Sequence, residues 1–368
     1  MISLPGLTTD KVVLTDDTVD KLLKAAVVAT GVSGGKDSCA LGLALPAFLD
    51  SVGHLGPRLL IHSDLGSVEW QDSLPTCERL AKEIGWELVV VKRKAGGMLE
   101  RWRSRWKSSV DRYVNLECVK LILPWSTPSM RFCTGELKRD VICSYLRKRF
   151  PGQTILSASG IRRDESTKRK KSPISSYQPK LFAKRAGTQG YDWHPLLSWT
   201  EEDVFSFLRE KRFPLHEAYE KYGNTRVSCA YCIMSSAHDL LASTTCPSNQ
   251  QVYRDMVDLE IESSFAFQES SWLGDVAPHL LSQTQRTLLY RAKRYAEARE
   301  DWESSIPPHL LYTQGWPTCL PGRAEAALLG RIRKQIGTLL NLPVQYTTAP
   351  SIIARYQELI DKRKQKEA

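Results

Sequence analysis

The sequence lacks the features of membrane and secreted proteins. No apolar run approaches the ~18 residues that a membrane span needs. The opening stretch MISLPGLTTDKVVL has none of the basic, apolar and small-residue zones of a signal peptide. Its nine cysteines are odd in number and follow no regular framework, which favours reduced thiols over disulfides. These absences predict a cytoplasmic protein without a membrane partner.

What is present is a globular composition with a surplus of basic residues. The chain has 368 residues, of which 42% are apolar and 25% are charged, enough for a large core and two lobes. Subtracting 41 acidic from 51 basic residues leaves a net charge of +10. Such a balance favours a polyanionic partner, either a nucleic acid or a phosphate-rich ligand.

Short apolar runs alternate with longer amphipathic stretches between residues 25 and 160. The apolar runs predict strands at 25–32, 58–63, 87–91 and 153–159. The amphipathic stretches predict helices at 37–49, 69–84 and 136–150. Because the strands are apolar throughout, we expect a parallel sheet covered on both faces, with ligands at the carboxyl ends of its strands.

The chain after residue 160 is predicted to form a loop followed by helices. Segment 162–190 is rich in Lys, Arg, Ser and Pro, which predicts a mobile loop over the site. Thr200 and Asp203 have the spacing of a capping box at the start of a helix over 200–211. Strand signals fade after residue 249, and helices are predicted at 250–262, 283–304, 323–340 and 351–364. The predicted domains are therefore 1–248, of α/β type, and 249–368, mainly helical.

The first strand ends in a glycine turn that opens a helix, with the sequence SGGKDS. A helix that begins at such a turn directs unpaired N–H groups and a positive dipole end at whatever the turn holds. Two glycines allow close approach, and two hydroxyls and one ammonium supply donors, so we expect a phosphate group there. The residues concerned are Ser33, Gly34, Gly35, Lys36, Asp37 and Ser38.

The turn has two other possible interpretations. The common nucleotide-hydrolase loop needs a glycine where this chain has Thr30, and a Ser or Thr where it has Asp37, so that interpretation is excluded. A plain glycine turn with a surface lysine is the other alternative. Six consecutive residues suited to one task make it the weaker interpretation.

SGGKDS resembles the pyrophosphate-binding motif of the N-type ATP pyrophosphatases, which cleave ATP between the α and β phosphates to adenylate a substrate. Further stretches resemble the phosphoadenosine phosphosulfate reductase family of that superfamily, over roughly residues 25–236. They are HSDLGSVEW (62–70), RFCTGELK (131–138), SGIRRDESTKR (159–169), HPLLSWTEEDVFSFL (194–208) and NTRVSCAYC (224–232). The resemblance implies a Rossmann-like α/β fold of the adenine nucleotide alpha hydrolase type, a parallel sheet with helices on both faces.

The resemblance also implies ATP and Mg²⁺ as cofactors, and roles for the residues in these motifs. Asp64, at a strand end, is expected to hold Mg²⁺ beside the phosphates, with an Asx turn or a helix cap as the alternative. The implied catalytic residues are Lys36, Asp37, Asp64, Lys138 and Arg162. The implied nucleotide-binding residues are Ser33, Gly34, Gly35, Lys36, Asp37, Ser38, His62, Asp64, Gly160 and Arg169.

Three cysteines are candidate ligands of an iron-sulfur cluster or zinc. Cys229 and Cys232 form a C-x2-C pair, and Cys246 follows. Cys133 is a poor fourth ligand, since its motif looks like part of the nucleotide site. Related sulfur-transfer enzymes of the family carry such a cluster, whereas other members keep the pair without one. The alternative is a pair of reduced thiols at the rim of the active site.

The activity that the resemblance implies is ATP cleavage to AMP and pyrophosphate with adenylation of a substrate. True reductases of the family have a nucleophilic cysteine in a Glu-Cys-Gly-type motif near the C-terminus, whereas the last cysteine here is Cys319, in GWPTCLPG. Sulfur transfer to nucleic acid, in DNA modification or defence, is the leading hypothesis. The alternatives are a sulfonucleotide reductase and a non-catalytic accessory that binds ATP or nucleic acid. Expected partners are nucleic acid, a sulfur-donor or defence-system protein, and a second copy of the chain.

The stretch 91–113 interleaves basic residues with Trp102 and Trp106. The two tryptophans are four positions apart and share one face of a helix. A cationic surface with stacking aromatic rings suits single-stranded nucleic acid. The alternative places both indoles in the core and the basic side chains in solvent.

Overall fold

The computed structural model describes residues 12–269 and 271–367. Residues 1–11, on which most of the signal-peptide argument depends, lie outside this range. The chain forms two compact units, one made of Met1–Met98 and Pro128–Gln250, the other of Leu99–Thr127 and Gln251–Ala368. The boundary between these units at residues 250 and 251 lies two residues from the predicted domain boundary between 248 and 249. Segment 99–127, predicted to be part of the first domain, belongs to the second unit.

The first unit contains a sheet of six strands: β1 (Val27–Val32), β2 (Arg58–Asp64), β3 (Glu87–Lys92), β4 (Thr154–Ala158), β5 (Ser175–Tyr177) and β6 (Gln189–Trp193). Their order in the sheet is β3-β2-β1-β4-β6-β5. All neighbours are parallel except β5 and β6, which are antiparallel. The four predicted strands are confirmed. The prediction of a loop over 162–190 is wrong, since β5 and the start of β6 lie in it.

Alternate residues of the central strand enter different cores, which explains why most of the strand is apolar. Val28 packs with Leu60 and Leu156 on one face of the sheet. Val27 and Ala29 pack with residues of the neighbouring strands on the other face. Because side chains alternate along a strand, a sheet buried on both faces needs apolar residues at every position. The prediction of a parallel sheet covered on both faces is thereby confirmed.

Helices of the first unit cover these faces and supply the loops around the site. They are α1 (Asp17–Leu22), α2 (Lys36–Ser51), α3 (Ser73–Ile84), α5 (Asp140–Arg149), α6 (Thr167–Lys170), α7 (Glu201–Glu210), α8 (Glu217–Glu220) and α9 (Ala237–Thr245). A π-helix, Cys133–Arg139, leads into α5. The capping box at α7 is confirmed: the Asp203 amide donates to Thr200 Oγ1 at 3.1 Å, and the Thr200 amide donates to Asp203 Oδ2 at 2.8 Å.

The second unit is helical, as expected for the C-terminal region. It carries α4 (Met98–Val114), α10 (Gln250–Ser263), α11 (Gln283–Ser304), α12 (Arg323–Leu339) and α13 (Ala349–Glu367), the first residues of α4 and α10 excepted. Among the helices of the described residues, none is both long and apolar enough to cross a bilayer.

The tryptophans of the basic and aromatic stretch lie in the core of this second unit. Trp102 and Trp106 are only 3% and 4% exposed. The ring centroid of Trp102 is 5.3 Å from that of Trp125, edge to face, and Trp106 meets Phe265 in the same way at 6.1 Å. These indoles are unavailable for stacking on nucleic-acid bases, so the core alternative is the correct one.

Candidate functional site

The glycine turn lies between β1 and α2, at the carboxyl edge of the sheet. The Ser33 amide donates to Ser38 Oγ at 3.1 Å, and that hydroxyl donates to the Gly35 carbonyl at 2.9 Å, so Ser38 braces the turn from within. Gly34 has φ +77°, and a Cβ there would lie 2.9 Å from the Ser73 carbonyl oxygen. The turn therefore requires glycine at this position. Gly35 caps α2 without a side-chain hydrogen bond, so no side chain there supplies an acceptor to the first helical amides.

Lys36, the first residue of α2, is buried to 4% exposure among anionic and aromatic groups. Its Nζ lies 3.0 Å from Glu201 Oε1 and 3.7 Å from Asp37 Oδ2. The rings of Tyr219 and Phe205 lie 5.5 and 5.6 Å from the same nitrogen. Burial by itself would lower the pKa of Lys36, but Tyr219, Asp37 and Glu201 outweigh burial and raise that pKa. The ammonium is therefore charged at neutral pH.

A ring of ion pairs and hydrogen bonds starts from this lysine and returns to it. Arg162 is 3% exposed, and its Nε lies 2.5 Å from Asp37 Oδ1. Its Nη1 pairs with Asp164, and Asp164 Oδ2 accepts a hydrogen bond from the Glu201 amide at 3.0 Å. Glu201 then pairs with Lys36, which closes the ring. The structure thus brings together the predicted residues Lys36, Asp37 and Arg162.

Gly160 and Arg169 come from the motif that follows β4. A Cβ on Gly160 would lie 2.5 Å from the Asp37 carbonyl oxygen, so its missing side chain lets the end of β4 approach the first turn of α2. Arg169 pairs with Glu165, whose other oxygen accepts from the Arg162 amide at 2.8 Å. Burial and the charges of Arg131 and Arg226 lower the pKa of Arg169. Several guanidinium groups therefore act on one region, which suits an anionic ligand.

His62 lies on β2 beneath the turn and is 1% exposed. Its Nδ1 lies 3.0 Å from the carbonyl oxygen of Val32, the last residue of β1, and its Nε2 lies 3.2 Å from Glu69 Oε2. Burial opposes the positive charge, but hydrogen bonds to Cys77 and Glu69 outweigh it and raise the pKa of His62 to about 10. With both nitrogens directed at protein acceptors, His62 supports the turn and orients Glu69 from below.

Asp64 is the last residue of β2, as the sequence indicates. Its Oδ1 accepts a hydrogen bond from the Gly66 amide at 2.7 Å, the geometry of an Asx turn. Within the described residues, no group of three or more His, Cys, Asp or Glu side chains is arranged to hold a metal ion. Because Mg²⁺ at phosphate sites often takes only one or two carboxylates beside the phosphates, Asp64 still fits that role.

The three predicted cysteine ligands do not come together. Cys229 is half-buried and interacts electrostatically with Cys232, Lys138 and Cys133. Cys246, in contrast, is 2% exposed, and its Sγ lies 3.1 Å from Ser248 Oγ. Burial raises the pKa of the Cys229 thiol, so this group is protonated at neutral pH.

Sequence reasoning missed Glu201, Phe205, Tyr219 and Glu69. Two of them stand in HPLLSWTEEDVFSFL, which was identified as a motif without roles for its members. Tyr219 is in no motif, and its hydroxyl receives a hydrogen bond from the Lys36 amide, 183 residues away along the chain. A contact of that kind leaves no local signal in the sequence.

Several solved structures match this chain at low identity and low TM-score. A phosphoadenylyl-sulfate reductase from Candida auris, in a phosphate complex, is 14% identical with a TM-score of 0.36, over 60% of this chain and 97% of that one. The U34-tRNA thiolase NcsA from Methanococcus maripaludis, with its [4Fe-4S] cluster, is 16% identical with a TM-score of 0.37, over 76% of this chain and 77% of that one. The FMN adenylyltransferase of Candida glabrata is 15% identical with a TM-score of 0.35, over 58% and 59%.

Sequence comparisons give a relative and a family. An uncharacterized 37.8 kDa protein in the gpa 5' region of Escherichia phage 186 is 23% identical over 251 residues, 59% of this chain and 70% of the relative. The sequence model of the phosphoadenosine phosphosulfate reductase domain matches residues 27–235, which contain the turn, the ring of charges and the cysteine pair. The chain belongs to the phosphoadenosine phosphosulfate reductase domain family.

Proposed function

We propose that this protein binds ATP at the Ser33–Ser38 turn and cleaves it to AMP and pyrophosphate while adenylating an acceptor. The observation that supports this most is the position of Lys36, a buried ammonium at the first residue of a helix whose N-cap residue, Gly35, has no side chain to occupy the helix amides. Helix amides and an ammonium at one point match the oxygens of a pyrophosphate group.

In the proposed reaction, an acceptor oxygen attacks the α-phosphorus of ATP. A bond forms between that oxygen and the phosphorus, and the bond from the phosphorus to the α,β-bridging oxygen breaks, so that pyrophosphate leaves with the electron pair. Lys36 and the turn amides stabilise the charge that develops on the leaving group. Mg²⁺, held by Asp64 and the phosphates, would supply further charge neutralisation.

Arg162, Lys138 and Arg169 are proposed to bind and orient the α-phosphate and the acceptor. Arg162 is held at the turn by Asp37, at 2.5 Å. Guanidinium groups present forked donors that suit phosphate oxygens, and positioning supplies much of the catalysis in phosphoryl transfer.

The acceptor class is proposed to be nucleic acid, activated for sulfur insertion. The excess of basic residues and the arginines that act on Arg169 support a polyanionic acceptor. The sulfur donor and a second copy of the chain stay predictions.

A cysteine-bound cluster or zinc is not needed in this scheme. A set of three thiols is not assembled in the described part of the chain, and no step of the proposed reaction involves a metal-sulfur group. Purification without oxygen, followed by visible absorption spectroscopy and metal analysis, checks this point. A brown protein containing iron that depends on Cys229 and Cys232 would contradict it.

The proposed function is tested with ATP labelled at the α-phosphate. The protein, Mg²⁺ and single-stranded or duplex oligonucleotides should yield labelled AMP or an adenylated oligonucleotide together with pyrophosphate. Lys36→Ala should abolish product formation while its circular dichroism spectrum stays native. Formation of ADP and phosphate, or release of sulfite from a sulfonucleotide in the presence of thioredoxin, would overturn the proposal.

A further inference from the structure

Tyr219 contacts both the nucleotide turn and the segment that carries the cysteine pair. Its hydroxyl oxygen accepts a hydrogen bond from the Lys36 amide at 3.3 Å and another from the Val227 amide at 3.2 Å. Lys36 begins α2, and Val227 stands two residues before Cys229. One phenol oxygen thus connects the turn that is predicted to bind phosphate to the segment that carries the cysteine pair.

The ring of the same tyrosine holds the side chain of Lys36. The ammonium lies 5.5 Å from the ring centroid of Tyr219, whose ring in turn lies 6.0 Å from that of Phe205, edge to face. A cation over an aromatic face is stabilised by the ring's quadrupole. The ring therefore contacts the Lys36 side chain, whereas the hydroxyl contacts two backbone amides. A Tyr219→Phe substitution removes the hydroxyl contacts and keeps the ring.

The cysteine segment is packed directly on the turn. A Cβ on Gly35 would lie 3.6 Å from both the Cβ and the carbonyl oxygen of Val227. Further along, the Ala230 amide donates to the Val68 carbonyl at 2.8 Å, which anchors the other side of Cys229. The Val227 amide is held by Tyr219, which also contacts the turn, and the Ala230 amide is held by Val68.

We propose that Tyr219 is a positioning residue that couples occupancy of the nucleotide turn to the conformation of the segment carrying Cys229 and Cys232. The inference rests on the proposed function, in that a phosphate group occupies the turn. A phosphate oxygen forms charge-assisted hydrogen bonds, which are about twice as strong as neutral ones, so it displaces the phenol oxygen from the Lys36 amide. The phenol oxygen then accepts from the Val227 amide alone, and the segment becomes more tightly held.

The test measures thiol accessibility with and without a nucleotide. Native protein is treated with iodoacetamide in the presence or absence of Mg²⁺ and the α,β-methylene analogue of ATP, and alkylation of Cys229 and Cys232 is followed by peptide mass spectrometry. We expect the analogue to slow alkylation about threefold, the effect of strengthening one hydrogen bond within its usual net range. In Tyr219→Phe the slowing should disappear, although calorimetry should still detect binding of the analogue.

Tyr145→Phe is the matched control, because its hydroxyl accepts from Arg149 on an exposed surface instead of at the turn. It should keep the native slowing. Hydrogen exchange at the Val227 amide of the native protein gives an independent measurement without any variant, and the analogue should slow that exchange as well. Equal slowing in Tyr219→Phe and native protein, or no change at Val227, overturns the coupling alone. Failure of the analogue to bind native protein overturns the proposed function and the coupling together.

Discussion

The ammonium of Lys36 lies 3.0 Å from the carboxylate of Glu201. The carboxylate of Glu201 thereby neutralises the positive charge of Lys36, which a phosphate group bound at the turn would otherwise contact. Glu201 extends from the first position of α7, and its side chain is 56% exposed, so it can move into solvent when an anionic ligand arrives. Binding of pyrophosphate then exchanges one anion for another at a lysine that stays charged.

Glu201→Gln should therefore bind pyrophosphate more tightly than the native protein. The substitution removes an exposed competing charge, whose effect is about 0.5–1 kcal/mol, so a decrease in Kd of about twofold to fivefold is expected by calorimetry. Glu202→Gln is the control, since Glu202 pairs with Arg209 on the same helix and away from the turn. Weaker binding by Glu201→Gln would mean that Glu201 helps to hold the ligand.

His62 should make the stability of the protein depend on pH in the alkaline range. Its pKa is raised from 6.5 to about 10 in the folded protein, so its stabilising effect is complete below pH 6.5 and is lost as the pH rises through about 10. The free energy of unfolding should fall by up to about 1.4 kcal/mol per pH unit over this interval. Urea denaturation at several pH values measures the slope.

In His62→Gln that part of the slope should be missing. His238→Gln is the matched control, because His238 is largely exposed, and it should keep the native slope. Identical slopes in native protein and His62→Gln would show that Glu69 and Cys77 do not stabilise the imidazolium.

Gly160→Ala should destabilise the first unit and weaken nucleotide binding together. Its Cβ would approach the Asp37 carbonyl oxygen to 2.5 Å, and a close-packed site yields to such a clash at a cost of about 1–3 kcal/mol. Gly31→Ala is a suitable comparison, since a Cβ on Gly31 meets its nearest atom at an ordinary 3.5 Å. Thermal unfolding and calorimetric titration with the methylene analogue of ATP give the two readouts. A Gly160→Ala protein of native stability would contradict the close approach of β4 to α2.

Trp102→Ala should lower stability and leave no specific defect in nucleic-acid binding. Removing a buried indole from a cluster with Trp125 and Phe267 costs about 3–5 kcal/mol. Arg103→Ala and Lys107→Ala, at exposed positions of the same helix, should each change stability by less than about 0.5 kcal/mol. If Trp102→Ala instead kept its stability and lost affinity for single-stranded DNA, the burial of this residue would not describe the protein in solution.

The central strands and the turn were predictable because each has a strong local signal. β1, β2 and β4 each contain a run of apolar residues (VVA, LLI and IL), and the glycine turn is a contiguous motif. β5 and β6 gave no such signal: SSY and QGYDW are short and contain few apolar residues. Their strand conformation comes from pairing with each other and with β4, which only the folded chain supplies.

The residues of the candidate site likewise differ in how far the sequence predicts them. Lys36, Asp37 and Arg162 belong to motifs and were identified from the sequence. Glu201 and Tyr219 were not, because their role comes from contacts with Lys36 that join distant parts of the chain. The grouping of Cys246 with the C-x2-C pair stays a prediction: it depends on spacing along the chain, and in the structure the Sγ atom of Cys246 contacts Ser248 Oγ at 3.1 Å.

The chain passes from the first unit to the second at residue 99, returns at residue 128, and leaves again after residue 250. No single truncation can therefore separate the units. A fragment that stops at residue 250 would keep Trp102, Trp106 and Trp125 but lose Phe265 and Phe267, which pack against them. Its uncovered indole rings would make that fragment prone to aggregation, so attempts to isolate the first unit must also remove or replace the inserted segment.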